Sequence, residues 1–344
     1  MHSMIKVFFD DSPLTSGHQH RGIGAYTREL VTALEKQNDV LITTDRKSPH
    51  DLVHYPYFDF FSASLPVVQT KPTVVTIHDA IPLEFPDYYK PGKKGALALY
   101  YQKLALRKVA AVLTDSHYSK NSITEKLGYP KAKITSIPLA ASADFKPADR
   151  EEIKAVHKKY HLPKKFLLYV GDINYNKNIP QLIKALKFLP EAVQLVLVGK
   201  NFTPQEIPEW SWIEAQVALS DVESRVQYLN EVDSQADLAA IYSSAAAYVQ
   251  PSLSEGFGLP VLEAMRCNCP VVSSVAGSLP EVGGQFAWYA EPEAQSLAGV
   301  IESVLCLSAT ELEGRLQKAT AWAKSFTWQK TAKLTATVYQ QVVT

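Results

Sequence analysis

Cysteine is scarce: the 344-residue chain has three, Cys267, Cys269 and Cys306. That number gives no even disulfide framework, and Cys267-Asn268-Cys269 without a second pair or nearby histidines is a poor zinc site. Buried, reduced thiols are expected instead. No apolar run approaches the roughly 20 residues a spanning helix needs, and the N-terminus lacks the basic, apolar, small-residue order of a signal peptide. The chain therefore reads as cytoplasmic. Neither sign of charge is in excess, since 35 Lys and Arg balance 35 Asp and Glu for a net charge of +0; nothing points to a nucleic-acid partner. No period of 20 to 50 residues marks a solenoid, and no stretch is low in complexity.

What is present is ordinary globular material, 46% hydrophobic and 20% charged, in a chain too long for one core. Two domains are expected. In the first half, short β-branched and apolar runs (Ile5 to Asp10, Val40 to Thr44, Asp51 to Tyr55, Thr73 to His78, Ala111 to Ser116, Ile134 to Leu139) alternate with helical patterns such as Ala25 to Leu34 and Ala96 to Val109. This is the pattern of a doubly wound α/β domain with a parallel sheet. The alternation restarts after a linker near residue 147 with Phe166 to Gly171, Leu195 to Gly199, Val226 to Asn230, Ala247 to Gln250 and Val271 to Ser273. Helices are expected over Ala294 to Leu307, Ala309 to Phe326 and Trp328 to Val343. The domains are thus 1–147 and 148–327, followed by a last helix, and ligands of such folds bind outside the carboxyl ends of the strands.

At one of those ends, Ala247-Tyr248-Val249-Gln250-Pro251-Ser252 runs into Glu255-Gly256-Phe257-Gly258-Leu259-Pro260-Val261-Leu262-Glu263, two glutamates with seven residues between them. Pro260 at the first helical position and the glycine turn before it expose backbone N–H groups suited to an anion. Glu263 is expected in the first helical turn, where the helix dipole favours it, and Glu255 in the preceding loop; carboxylates there can grip paired hydroxyls. Taken singly, Glu255 reads as a solvated loop residue and Glu263 as a first-turn glutamate favoured by the dipole.

The segment continues Ala264-Met265-Arg266-Cys267-Asn268-Cys269-Pro270-Val271-Val272-Ser273-Ser274 and then Gly277-Ser278-Leu279-Pro280-Glu281-Val282. It closely resembles the retaining glycosyltransferases of family 4, and the resemblance extends from Gly22-Ile23-Gly24-Ala25-Tyr26-Thr27-Arg28-Glu29-Leu30 through His78-Asp79-Ala80-Ile81-Pro82-Leu83 to Phe326-Thr327-Trp328. It implies the GT-B architecture, two Rossmann-like domains facing a central cleft, with the helix at 328–344 crossing back onto the first. It also implies that Glu255 lies beside the donor sugar, that Glu263 holds the ribose, and that the amides of Phe257, Gly258 and Leu259 contact sugar or phosphate.

The same resemblance places Gly22 and Gly24 under the diphosphate, although on local sequence they equally form a tight strand-to-helix turn. It places His78 on the donor sugar, where a satisfied core or capping histidine is the plain alternative. Lys177, in Gly171-Asp172-Ile173-Asn174-Tyr175-Asn176-Lys177-Asn178, falls on the pyrophosphate; a solvated lysine is its alternative. Many relatives have an arginine where this chain has Asp172, and an aspartate near a diphosphate must turn away, pair with a cation or weaken donor binding. Backbone groups near Val232 are implied to hold the base.

The implied activity is transfer of a hexose, with retention, from a nucleoside diphosphate sugar to a glycan or lipid-linked acceptor. Similarity to bacterial mannosyltransferase-like members makes GDP-mannose the first donor and UDP-glucose or another UDP-hexose the next. No metal and no cofactor are implied. The alternatives are a non-catalytic sugar-nucleotide-binding or partner subunit, motivated by Asp172, and a sugar-nucleotide epimerase or phosphorylase on the same fold. Lys90, Lys93, Lys94, Lys103, Arg107, Lys108, Lys120, Lys126, Lys131 and Lys133 make the first domain locally basic. They offer a peripheral contact at the inner face of a membrane; a solvated basic face is the plainer account of them.

Overall fold

Runs such as Val74-Val75 and Leu167-Leu168 are apolar at consecutive positions, which suits strands covered on both faces. In the computed structural model, which describes residues 4–15, 17 and 22–344, these runs form two six-stranded sheets, every pairing parallel. The chain divides into two compact units, Met1–Ala140 with Phe326–Thr344, and Ala141–Ser325.

The first unit holds β1 (Ile5–Phe9), β2 (Val40–Thr43), β3 (Leu52–Tyr55), β4 (Thr73–Thr76), β5 (Ala111–Thr114) and β6 (Ile134–Ser136), in the order β2-β1-β3-β4-β5-β6. Helices Gly22–Leu34, Gly92–Leu106 and His117–Leu127 lie among its crossovers. The last starts where Ser116 accepts the Ser119 amide at 3.0 Å and stops at Gly128, whose φ of 67° closes the helix in the left-handed region.

The C-terminal helix Trp328–Val343 belongs to this unit because its buried face (Trp328, Thr331, Ala332, Thr335, Ala336, Tyr339) repeats every three to four residues. It is pinned by three hydrogen bonds: Thr331 Oγ1 donates to the Pro138 carbonyl at 2.7 Å, Gln340 Nε2 donates to Asp39 at 2.6 Å, and Tyr339 Oη meets His54 Nδ1 at 2.5 Å. His54 Nε2 and Tyr26 Oη both reach Thr76 Oγ1, at 2.8 and 2.9 Å. Burial, with the charge of His78 adding to it, depresses His54 to about 3, so its ring is neutral in this chain of polar groups.

The second unit holds β7 (Phe166–Val170), β8 (Gln194–Val198), β9 (Val226–Leu229), β10 (Ala247–Gln250), β11 (Val271–Ser274) and β12 (Trp288–Ala290), in the order β12-β11-β10-β7-β8-β9. The order reverses between β7 and β10, which pair directly, so the loops leaving their carboxyl ends start side by side. Cys267 and Cys269 are buried, in keeping with structural thiols, but Cys306 is exposed. It follows the last residue of helix Ala294–Leu305, where the chain turns off the core. Among the described residues no helix is long and apolar enough to cross a membrane.

Candidate active site

The loop after β10 is shaped by close contacts that fix its course before any ligand is considered. Ser274 Oγ donates to the Ser252 carbonyl at 2.6 Å, Asn178 Nδ2 to that of Pro251 at 2.9 Å, and Asn176 Nδ2 to that of Ser254 at 2.8 Å. Ser278 Oγ lies 2.9 and 2.8 Å from the carbonyls of Glu255 and Phe257. Gly277 must be glycine: its φ is +62° and a Cβ would stand 2.5 Å from the Glu255 nitrogen. At Gly258, with φ +96°, a Cβ would meet Leu279 at 2.8 Å.

This frame delivers Glu255, only 6% exposed, to Lys177. The Lys177 ammonium donates to Oε1 at 2.7 Å and to Oε2 at 2.8 Å. Oε1 also accepts from Gln250 Nε2 at 2.8 Å and Ser252 Oγ at 2.7 Å. A buried carboxylate is tolerable only with such company. Two of the ammonium's three donors are engaged, so one N–H and the less crowded Oε2 are left for a ligand. Asp172 lies five residues before Lys177 in the same loop. Its carboxylate accepts from Asn201 Nδ2 at 3.3 Å and, among the described residues, it has no cationic partner.

Glu263 is not in the first turn, as the position of Pro260 suggested. The helix opens at Leu259, so Glu263 is its fifth residue, and the first turn holds no acid. Its setting comes from side chains instead: Tyr242 Oη donates to Oε2 at 3.0 Å, while burial outweighs that bond and pushes the carboxyl up to about 7. Phe257 and Gly258 are buried in the loop, and Leu259, as the first helical residue, has an amide with no partner inside the helix. Val232 lies three residues beyond β9 and is partly exposed.

In the first unit, His78 was expected to end its strand; β4 stops at Thr76, leaving His78 two residues beyond. The chain nonetheless keeps the strand's course, with the Ile77 amide donating to the Leu113 carbonyl at 2.9 Å. The β4–β5 register pairs Thr76 with Leu113; continued by two residues it sets His78 opposite Asp115. Their side chains meet at 2.7 Å, Nδ1 to Oδ2. Burial disfavours the imidazolium, but the charge and hydrogen bond of Asp115 prevail, so His78 holds its proton above the usual histidine value. Burial raises Asp115 in turn, with His78 pulling it partly back. His78 Nε2 is buried, and the Pro56 carbonyl adds to what keeps the ring charged. Gly22 opens helix Gly22–Leu34, with Gly24 buried in its first turn; Arg21 lies outside the described residues.

The structure thus brings Glu255 and Lys177 together in one unit and supplies partners not anticipated from sequence: Gln250, Ser252, Asn176 and Tyr242 there, Asp115 in the other. Among the described residues no group of three His, Cys, Asp or Glu side chains is placed to hold a metal ion.

Residues 149–321 match the sequence model of the glycosyl transferases group 1, and residues 41–145 that of glycosyltransferase family 4. O-antigen chain mannosyltransferase B of Escherichia coli is 31% identical over 277 residues, 78% of this chain and 70% of that protein. Serotype-specific mannosyltransferase WbdA of Escherichia coli is 32% identical over 284 residues, 80% of this chain but 34% of WbdA. Among solved structures, sucrose-phosphate synthase from Thermosynechococcus elongatus superposes with a TM-score of 0.76 at 19% identity, over 99% of both chains. Anabaena HepE in complex with UDP-glucose gives 0.75 at 17%, over 98% of this chain and 100% of that one. The fold is GT-B, built from two doubly wound domains.

Proposed function

Since the chain belongs to the glycosyl transferases group 1, we propose that this enzyme moves a hexose, with retention, from a nucleoside diphosphate sugar to a glycan or lipid-linked acceptor. GDP-mannose is the first candidate donor, in view of relatives named mannosyltransferases; UDP-glucose or another UDP-hexose is the next. The observation that carries this reading is the Lys177–Glu255 pair, a buried carboxylate and an ammonium with one donor left over, at the carboxyl edge of a parallel sheet.

Negative charge grows on the leaving diphosphate as the glycosidic bond breaks, and a fixed ammonium stabilises it most at that moment. Lys177 takes this role, with the amides of Phe257, Gly258 and Leu259 beside it. Glu255 Oε2 accepts a hydroxyl of the donor sugar, and Glu263 accepts the ribose hydroxyls. The acceptor oxygen attacks from the face the diphosphate leaves, its proton passing to the departing phosphate oxygen. Gly22 and Gly24 are assigned to the diphosphate, Val232 to the base and His78 to the sugar. No metal or cofactor takes part.

Calorimetric titration with GDP, UDP, GDP-mannose and UDP-glucose tests this reading. One base is expected to bind, with affinity rising as pH passes about 7, where the raised carboxyl of Glu263 ionises and becomes a stronger acceptor. Glu263→Gln should weaken that ligand about tenfold and flatten the pH dependence. Binding of none of the four sinks the proposal. A product with the inverted anomer, or transfer abolished by a chelator, would remove retention or metal independence.

The proposed lipid-linked acceptor agrees with the surface of helix Gly92–Leu106, which contains no acid and exposes Leu97, Tyr100 and Tyr101 (57, 60 and 49%) beside Lys93 and Lys94. Aromatic rings and lysines so placed suit an anionic bilayer surface. Cosedimentation with vesicles rich in phosphatidylglycerol is expected, and should be lost in Tyr100→Ser/Tyr101→Ser; equal sedimentation with neutral vesicles would count against the contact.

A further inference from the structure

A concavity in the Ala141–Ser325 unit has a cavity volume of about 400 Å³, within the range of small-ligand sites, and contains neither Lys177 nor Glu255. Two aromatic rings form one corner of it. Tyr175 and Trp212 stand edge to face, centroids 6.0 Å apart and planes at 77°, and Trp212 is 38% exposed on helix Pro208–Ser220. Around them the wall is partly apolar, with Ile179, Ile213 and Leu253 among its residues, and its polar groups include Asn174, Glu209 and Gln216, a side-chain amide, a carboxylate and a second amide. Gln216 spends its Nε2 on Ser220 Oγ at 2.7 Å, which leaves its carbonyl oxygen as an acceptor.

This combination has a definite chemical counterpart. A pyranose presents a C–H face that packs on an aromatic plane and a rim of hydroxyls that donate to carboxylates and amide oxygens while accepting from amide N–H groups. A lipid chain would cover the Glu209 carboxylate and the Gln216 carbonyl oxygen while offering them no donor, at a desolvation cost. A phosphate would meet Glu209 and, among the lining residues, no Lys or Arg.

The concavity is built on the loops that hold the Lys177–Glu255 pair. Tyr175 lies two residues before Lys177, and Leu253, also in its wall, lies two before Glu255. The Leu253 amide donates to the Asn176 carbonyl at 2.7 Å, so the two loops are tied together at this point. We infer that Tyr175 and Trp212 form a carbohydrate subsite that holds a sugar residue of a growing glycan acceptor away from the reacting end. The inference rests on the proposed glycan acceptor and gives it a place on the protein.

The test uses the full chain, a sugar-nucleotide donor, and α-linked manno-oligosaccharides of increasing length, with methyl α-mannoside as the short acceptor. Trp212→Ala is expected to lower kcat/KM about tenfold for the long acceptors only, leaving the short one within about twofold and the donor affinity unchanged. Tyr175→Phe should keep the preference for length, since it preserves the ring. Direct binding is read separately: in the absence of donor, the long oligosaccharide should change the tryptophan fluorescence of the wild type, and Trp212→Ala should abolish that change. Equal losses for short and long acceptors, or an unaltered length preference, overturn the subsite. Transfer to a non-carbohydrate acceptor only, with the fluorescence change intact, would overturn the glycan acceptor and leave the subsite standing.

Discussion

Replacing Lys177 with alanine is expected to reduce transfer about a thousandfold and to lower the melting temperature by about 6–12 °C. Both effects come from one ammonium. Removing a donor from a charge-stabilising site typically costs about 10²–10³ in rate, and here the resemblance places that donor on the leaving diphosphate. The stability loss has a different origin. Without Lys177 the carboxylate of Glu255, 6% exposed, keeps the hydrogen bonds of Gln250 and Ser252 but loses its counter-charge. Breaking a buried pair from one side costs about 3–5 kcal/mol, and about 3 kcal/mol corresponds to roughly 6–12 °C for a domain of this size. Lys177→Ala/Glu255→Gln separates the two, because a neutral amide can still accept from Gln250 and Ser252. The double variant should regain most of the melting temperature and none of the transfer. A single variant that melts like the wild type would show that the pair is not worth its geometry in solution; one that transfers normally would remove Lys177 from the leaving group.

Lys177 and Glu255 were each picked out from sequence, whereas their mutual contact was not. They are 78 residues apart, and they meet because β7 pairs with β10, a crossover that no local pattern specifies. The sheets were legible because strands covered on both faces read as unbroken apolar runs. β12 escaped because its three residues, Trp288-Tyr289-Ala290, lie in a short apolar run, Phe286 to Ala290, that suits a buried helical turn as well as a strand. The misplacement of Glu263 has a similarly local cause. Proline suits either of the first helical positions, and a shift of one at Pro260 moves the glutamate out of the first turn. The dipole then has little hold on it, and Tyr242, on a helix seen only in the fold, sets its environment. Asp115 was within reach: it ends the apolar run of β5 as His78 follows that of β4, and the register of neighbouring parallel strands brings them level.

That pairing carries the second large effect, a change in pH dependence when Asp115 is replaced by asparagine. Asp115 is a positioning residue. Its Oδ2 takes Nδ1 of His78 at 2.7 Å, which fixes the ring and directs Nε2 away, and its charge keeps the ring protonated against the burial that opposes this. A protonated His78 carries a second N–H donor at Nε2, which in the proposed site would be shared between the Pro56 carbonyl and a hydroxyl of the sugar. In Asp115→Asn the opposing burial prevails, so the imidazole loses its proton at lower pH and the alkaline limb of the transfer profile moves down. The expected result is a loss of about tenfold near pH 8 and little change at acid pH. His78→Gln keeps one N–H donor without titrating and should give a lower, flat profile. Stability follows the same sign. Because the folded value of His78 is raised, the pair's contribution is complete below the unfolded histidine value of about 6.5 and disappears as pH climbs through the folded one. The wild type should therefore lose melting temperature over that interval and Asp115→Asn should not. An Asp115→Asn enzyme with an unmoved alkaline limb would mean that His78 acts as a neutral ring, and the charge of Asp115 would then serve the fold alone.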